Sequence, residues 1–235
     1  MTEIGLEISA DGSSVCFTQE MTNTYVKTSY PRVNKEPKDL NKIPVHGPDI
    51  PFMPNKALEP FDRLVAVDTN TRLIRGEQVS VTGVVEGIWN WVADKDGLHR
   101  AVRYGTPFCL EFLGIKVDPE QLGWLMVISE LMKEPPYQRS KRVGLIVDSG
   151  LDKLDVYNTR RCPIYGDALL PRNFTLVYAT SDAGREYAAN FLLRAADTAS
   201  NKVLQLLDAG EVSLNPNTIV GAPYTAFRKI RAKAA

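Results

Sequence analysis

The apolar and polar positions of this chain fall into short alternating or continuous runs in the first two thirds and longer helical runs towards the end. Ile4, Leu6 and Ile8 alternate with polar residues, Ala10-Asp11-Gly12-Ser13 supplies a turn, and Val15-Cys16-Phe17 follows, which predicts a small hairpin; Thr24–Thr28 predicts a third strand. From Phe61 the signal strengthens. Leu64–Val67 is a short apolar strand ending at Asp68, Arg75-Gly76-Glu77 is a turn, and Gln78–Trp91, rich in Val, Thr, Ile and Trp, completes a hairpin. Phe108–Leu113 predicts the next strand. Asp118-Pro119-Glu120-Gln121 then opens a helix, with Asp as N-cap, Pro at the first helical position and Gln121 where a capping box requires it. The body of that helix, Leu122–Met132, is apolar nearly all round and should be buried on more than one face, and Pro135-Pro136 ends it.

Two further strands, Val143–Val147 and Phe174–Tyr178, flank a Leu-rich segment from Leu151 to Tyr157 that predicts a short helix. Ser181 or Asp182 is expected to cap the longest helix, which runs to about Asp208 and stops at Gly210. Seven of the 15 prolines lie within 31–60, where repeated loss of the backbone donor forbids a regular ladder or helix. The expected organisation is therefore an N-terminal β unit (1–30), a proline-rich connector (31–60), an α/β domain with a mixed sheet flanked by helices (61–210) and a basic tail (211–235) that frays.

Composition narrows the function classes. The 28 Lys and Arg balance 28 Asp and Glu, so the chain lacks the basic excess of a protein that coats nucleic acid non-specifically, although a local basic groove is compatible with it. No apolar run reaches the roughly 18 residues that span a bilayer. Met1–Gly5 is unlike a signal peptide, and three dispersed cysteines (Cys16, Cys109, Cys162) suit a reducing compartment, so a cytoplasmic protein without a membrane segment is expected. The two histidines, His46 and His99, are far apart, and no phosphate-binding Gly-Lys-Ser/Thr loop, HExxH or CxxC is present.

What remains is a set of carboxylates. Two buried-type strands end in Asp, at Val67-Asp68-Thr69 and Val147-Asp148-Ser149, and in open α/β sheets functional groups gather at the carboxyl ends of strands. Close carboxylates repel unless a cation or a proton intervenes, and hard oxygen donors suit Mg²⁺ or Mn²⁺. Each acid also has an ordinary role: Asp68 and Asp148 as turn formers, Asp182 as an N-cap, Glu120 as a first-turn acid, Asp197 as a solvated helix residue.

The run of strand ending in Asp, hairpin, third strand, helix and Val-Asp-Ser at the end of a fourth strand resembles the ribonuclease H-like superfamily over about residues 61–208. The resemblance implies a metal-dependent nuclease or related phosphodiesterase whose acids are Asp68, Glu120 (with Glu111 as the fallback), Asp148 and either Asp182 or Asp197. It implies one or two Mg²⁺ or Mn²⁺ ions, with Asp68 and Asp148 the surest ligands. Arg139, Lys141, Arg142, Arg160, Arg161 and Arg172, in loops expected near those acids, would hold a polynucleotide backbone. Trp89, Trp91 and Trp124 are expected in the core, with base stacking as the alternative. The competing expectation is a catalytically silent interaction module that docks a protein partner or a second copy through residues 1–60.

Overall fold

The computed structural model describes residues 6–8, 15–17, 25–27, 55–94, 97–105, 107–113, 118–148, 154–181, 187–211 and 228–231. The expected turn at 10–13, the connector as far as residue 54, Ser149 and Asp182 lie outside them.

Strands β1 (Leu6–Ile8) and β2 (Val15–Phe17) pair antiparallel as a separate two-stranded sheet, as the alternation requires. Strand β3 (Tyr25–Lys27) pairs antiparallel with β6 (Gly97–Tyr104), so the third N-terminal strand joins the main sheet. A short 3-10 turn at Asn55–Leu58 leads into β4 (Arg63–Ile74).

β4 is longer than its apolar run suggests. It continues through Asp68-Thr69-Asn70 to Ile74, so Asp68 lies in mid-strand and not at a turn. The cause is the hairpin: β5 (Glu77–Asp94) pairs with every residue from Leu64 to Ile74, and cross-strand hydroxyl bonds (Thr69 to Thr82 and Thr71 to Ser80, both 2.8 Å) satisfy polar side chains within the ladder. The turn falls where expected, with Arg75 and Gly76 at φ 51° and 85°, the positive pair of a type I′ turn. The second half of β5 pairs with β6, a strand that the sequence pattern had not revealed, and its first half with β7 (Phe108–Leu113).

Helix α1 (Pro119–Met132) begins as expected: the Asp118 carboxylate accepts from Glu120 N, and Pro119 stands at the first position. Gln121 closes no capping box, since its amide donates to the Tyr157 hydroxyl. Pro136 opens a single turn, α2 (Pro136–Arg139). Strand β8 (Val143–Asp148) lies parallel to β4, and β9 (Phe174–Ala179) lies parallel to β8; α3 (Leu154–Asn158) stands between them in sequence. Helix α4 (Ala188–Ala209) starts six or seven residues later than the expected Ser181 or Asp182 cap, after Tyr187, with no side-chain cap, and Gly210 in the left-handed region closes it. In the basic tail, Arg228–Arg231 forms β10, which pairs with β7; this stretch does not fray.

The main sheet thus runs β10-β7-β5-β4-β8-β9, with β6 and β3 beside the far half of β5. It is a mixed sheet in an α/β layout, built on alternation along each strand. Val65, Val67, Leu145 and Val147 face α1, whereas Leu64, Ala66 and Ile146 face α4. Trp124 is fully buried, but Trp91 is 67% exposed, which corrects the expectation of core burial, because β5 extends beyond the reach of α4 there. Trp89 is partly buried, with the Arg100 guanidinium stacked 3.8 Å from its ring centroid. No helix among the described residues is long and apolar enough to cross a membrane.

Candidate functional site

Parallel pairing sets the first two acids side by side. The β4–β8 register reaches Ala66 opposite Ile146, and Asp68 and Asp148 follow two residues further along each strand, on strands about 4.8 Å apart. By alternation both belong to the face covered by α4. Two glycines let the helices come close enough to add their own acids. A Cβ on Gly83, which pairs with Asp68, would collide with the backbone carbonyl of Ala196, so α4 rests directly on β5 and carries Asp197 to the same level. A Cβ on Gly123 would collide with the hydroxyls of Thr69 and Thr82, so α1 seats its first turn, with Glu120, against β4 and β5.

Hydrogen bonds tie the acids together. Asn70 Nδ2 donates to Asp68 Oδ2 (2.9 Å), Asp197 Oδ1 (3.1 Å) and Ser200 Oγ (2.7 Å), and Asn201 Nδ2 donates to Asp197 Oδ1 (2.7 Å). Glu120 reaches inward: Oε2 accepts from Thr69 N (3.0 Å) and Oε1 from Trp124 Nε1 (2.9 Å). Asn70 and Ser200 were not anticipated. The signal for Asn70 was present, since a residue two positions from Asp68 on one strand shares its face.

The electrostatics are those of crowded, buried carboxylates. Asp68 is 7% exposed, and its carboxyl is pushed up to about 9, first by burial and then by the charges of Glu120, Asp197 and Asp148. Asp68 therefore carries a proton at neutral pH and shares a hydrogen bond with Asp197. Glu120 is pushed up to about 7, mainly by burial, although the Trp124 and Thr69 donors oppose the shift. Three of the charges acting on Asp68 are carboxylates, so a proton or a cation is what the cluster calls for.

The other expected site residues lie elsewhere. Glu111, the fallback, is fully buried on β7, and Asp182 is outside the described residues. Arg139, Lys141 and Arg142 precede β8, whereas Asp148 is its last residue; six steps of strand put them about 20 Å from the acids. Arg160 donates to the carbonyls of Asn158, Leu170, Pro171 and Phe174 at the amino end of β9, where it ties two loops together as a structural residue. Exposed Arg161 adjoins it, and Arg172 precedes β9. The basic loops are thus at the opposite end of the sheet from the acids, because parallel strands put the loops before them and the residues ending them at opposite edges. Cys109 is buried, with its thiol pushed up to about 12 by burial, and Cys162 is exposed.

The donor set is all oxygen and suits a hard divalent cation, but among the described residues no three His, Cys, Asp or Glu side chains are disposed about one point to hold an ion. Both Glu120 oxygens are engaged by N–H donors. No protein-family model, curated protein or solved structure matches the chain.

Proposed function

We propose that the acidic end of the sheet is the active centre of a metal-dependent nuclease or related phosphodiesterase, on a ribonuclease H-like arrangement of the α/β fold. The observation that carries this reading is the meeting of Asp68, Glu120, Asp148 and Asp197, from four separate elements, where the charges of the other three raise the buried Asp68 carboxyl. The order of strand, hairpin, further strand, helix, parallel strand and final helix supports it; β6 is an addition to that order.

Asp68, Asp148 and Asp197 would hold one or two Mg²⁺ or Mn²⁺ ions. A divalent cation bound there supplies a counter-charge for a phosphate and lowers the pKa of a bound water. The residues of the chain have their own tasks. Asn70 orients Asp68 and Asp197 through one amide, and Thr69 N with the Trp124 indole fixes the Glu120 carboxylate beside them. Glu120, near the neutral range, is suited to exchange a proton at its carboxylate.

Titration calorimetry with Mn²⁺, run on the parent protein and on Asp68→Asn and Asp148→Asn, tests the reading together with a nuclease assay. Binding that is lost in both variants, and cleavage that falls at least about 100-fold in Asp148→Asn while folding survives, is the expected outcome. Unchanged cleavage in folded Asp148→Asn would refute it. The Asn70-centred bonds favour a second reading, in which protons neutralise the cluster and the domain is a silent interaction module; absence of Mn²⁺ binding and of cleavage is its signature.

A further inference from the structure

At the end of the sheet opposite the acids, three cationic side chains are brought together by one amide. Asn173 Nδ2 donates to the carbonyls of Arg139 (3.0 Å) and Lys141 (2.9 Å), and Val143 N donates to Asn173 O (2.8 Å). These bonds lock the turn between α2 and β8 against the turn before β9. Arg139, Lys141 and Arg172 therefore emerge at one place, with Arg139 and Arg172 exposed. The Tyr137 ring, 67% exposed, lies beside Lys141, whose Nζ is 4.7 Å from its centroid and donates to its hydroxyl (3.3 Å).

The acids nearby are already matched. Arg63 bonds both Glu86 and Glu134, and Arg142 bonds Asp62. Asp62, Arg63, Glu86 and Glu134 line an adjoining groove of about 470 Å³, which Lys141 also borders. No carboxylate among the described residues lies within ion-pair distance of Arg139, Lys141 or Arg172. The three groove carboxylates are offset by Arg63, Arg142 and the charge of Lys141, which also acts on Asp62, so the positive excess beside Tyr137 is that of Arg139 and Arg172.

From this we infer that Arg139, Lys141 and Arg172, with the Tyr137 ring, form an anchoring surface for the backbone of a single-stranded polynucleotide, about 20 Å from the acidic cluster. Flexible cations reach phosphates, and an exposed ring beside one of them offers a stacking face that any base accepts. The inference deepens the nuclease reading by locating where a strand is held away from the acids. Its test reads binding and not cleavage, so the two can fail separately.

The probe is a fluorescein-labelled 20-nucleotide single-stranded RNA of mixed sequence, followed by anisotropy between 50 and 200 mM NaCl with EDTA present. The protein forms are the parent, Arg139→Ala/Lys141→Ala/Arg172→Ala, and, as a control, Arg72→Ala, a surface cation of β4 outside this patch. The triple variant, whose changes are at the surface, should melt like the parent. It is expected to bind at least about tenfold more weakly and to lose about two to three from the salt slope, roughly one for each lost phosphate contact. Arg72→Ala should bind as tightly as the parent. Tyr137→Ala should weaken binding several-fold with the salt slope unchanged. No RNA binding by the parent at 50 mM salt, equal binding by the triple variant, or binding of phosphatidylserine vesicles in place of RNA would each overturn the inference. RNA binding that depends on the three cations, without any cleavage, would keep this surface and remove the nuclease reading.

Discussion

Asp62, just before β4, and Asp68, within it, stand six residues and about 20 Å apart, and the protein treats them in opposite ways. At the amino end of β4 the Asp62 carboxylate accepts from the Arg142 backbone N–H and guanidinium, and the backbone bond leads in holding it below the usual carboxylate range. Its neighbours Glu86 and Glu134 share Arg63. In the middle of the strand Asp68 faces Glu120, Asp148 and Asp197 and is driven up to about 9. The start of β4 is an ordinary charge-balanced surface, and its middle concentrates like charges that only a proton or a cation relieves. Such crowding costs stability, which is the argument that the acidic end is kept for something other than holding the fold together.

The sharpest way to break this contrast is through pH. Asp68 has an unfolded value near 3.8 and a folded value of about 9, so between them the native state holds a proton that the unfolded chain has lost. Stability should therefore decline as pH rises through that window, by up to about 1.4 kcal/mol per pH unit from this group alone, and then flatten. Glu120, raised from 4.5 to about 7, adds the same sign over its narrower window. Urea unfolding at pH 5, 7 and 9 in EDTA should show the decline in the parent. Asp68→Asn, which needs no proton, should be several kcal/mol more stable than the parent at pH 9, relative to pH 5. A parallel pH dependence in the two proteins would mean that the carboxylates do not crowd Asp68.

The next largest effect belongs to the balanced end. Arg63 is largely buried and serves two carboxylates, so Arg63→Met removes their shared partner while keeping most of the side-chain volume. Glu86 and Glu134 are partly open to solvent and would rehydrate in part, which brings the cost to about 2 kcal/mol at pH 7, below that of a fully buried pair. Chemical denaturation of the two proteins at pH 7 measures it.

The two ends were unequally legible in the sequence. Asp68 and Asp148 could be read because both follow apolar runs, and Glu120 because Asp118-Pro119 announced the helix start. Asp197 remained an alternative to Asp182, since residue spacing alone does not tell how deeply a helix rests on a sheet; the close approach at Gly83 decides that. β4 was read as ending at Asp68 because Thr69-Asn70 is good turn material, yet pairing with β5 outweighed local preference. The start of α4 was misplaced because Ser181-Asp182 makes a plausible cap that the helix does not use. β6 escaped because Gly97–Tyr104 mixes charged and apolar residues without a clean period. The basic loops were assigned to the wrong end because nearness in space to the acids depends on strand direction, which the linear pattern does not carry.

The smallest effect sharpens the contrast most directly. The carboxylate of Asp62 is well exposed, so its bond to Arg142 is worth no more than about 1 kcal/mol, and Asp62→Asn should destabilise by less than that at pH 7. Its sign with pH is opposite to that of Asp68. A depressed carboxyl adds stability above its unfolded value of 3.8 and loses it as pH falls through the lower folded value, so parent and Asp62→Asn should converge in acid. At pH 8 the Asp62→Asn change should lower stability and the Asp68→Asn change should raise it. The sites are far apart and share no partner, so the double variant should equal the sum of the two within about 0.5 kcal/mol. A larger deviation, read by urea unfolding of all four proteins, would mean that the start and the middle of β4 communicate through the strand and are not independent electrostatic environments.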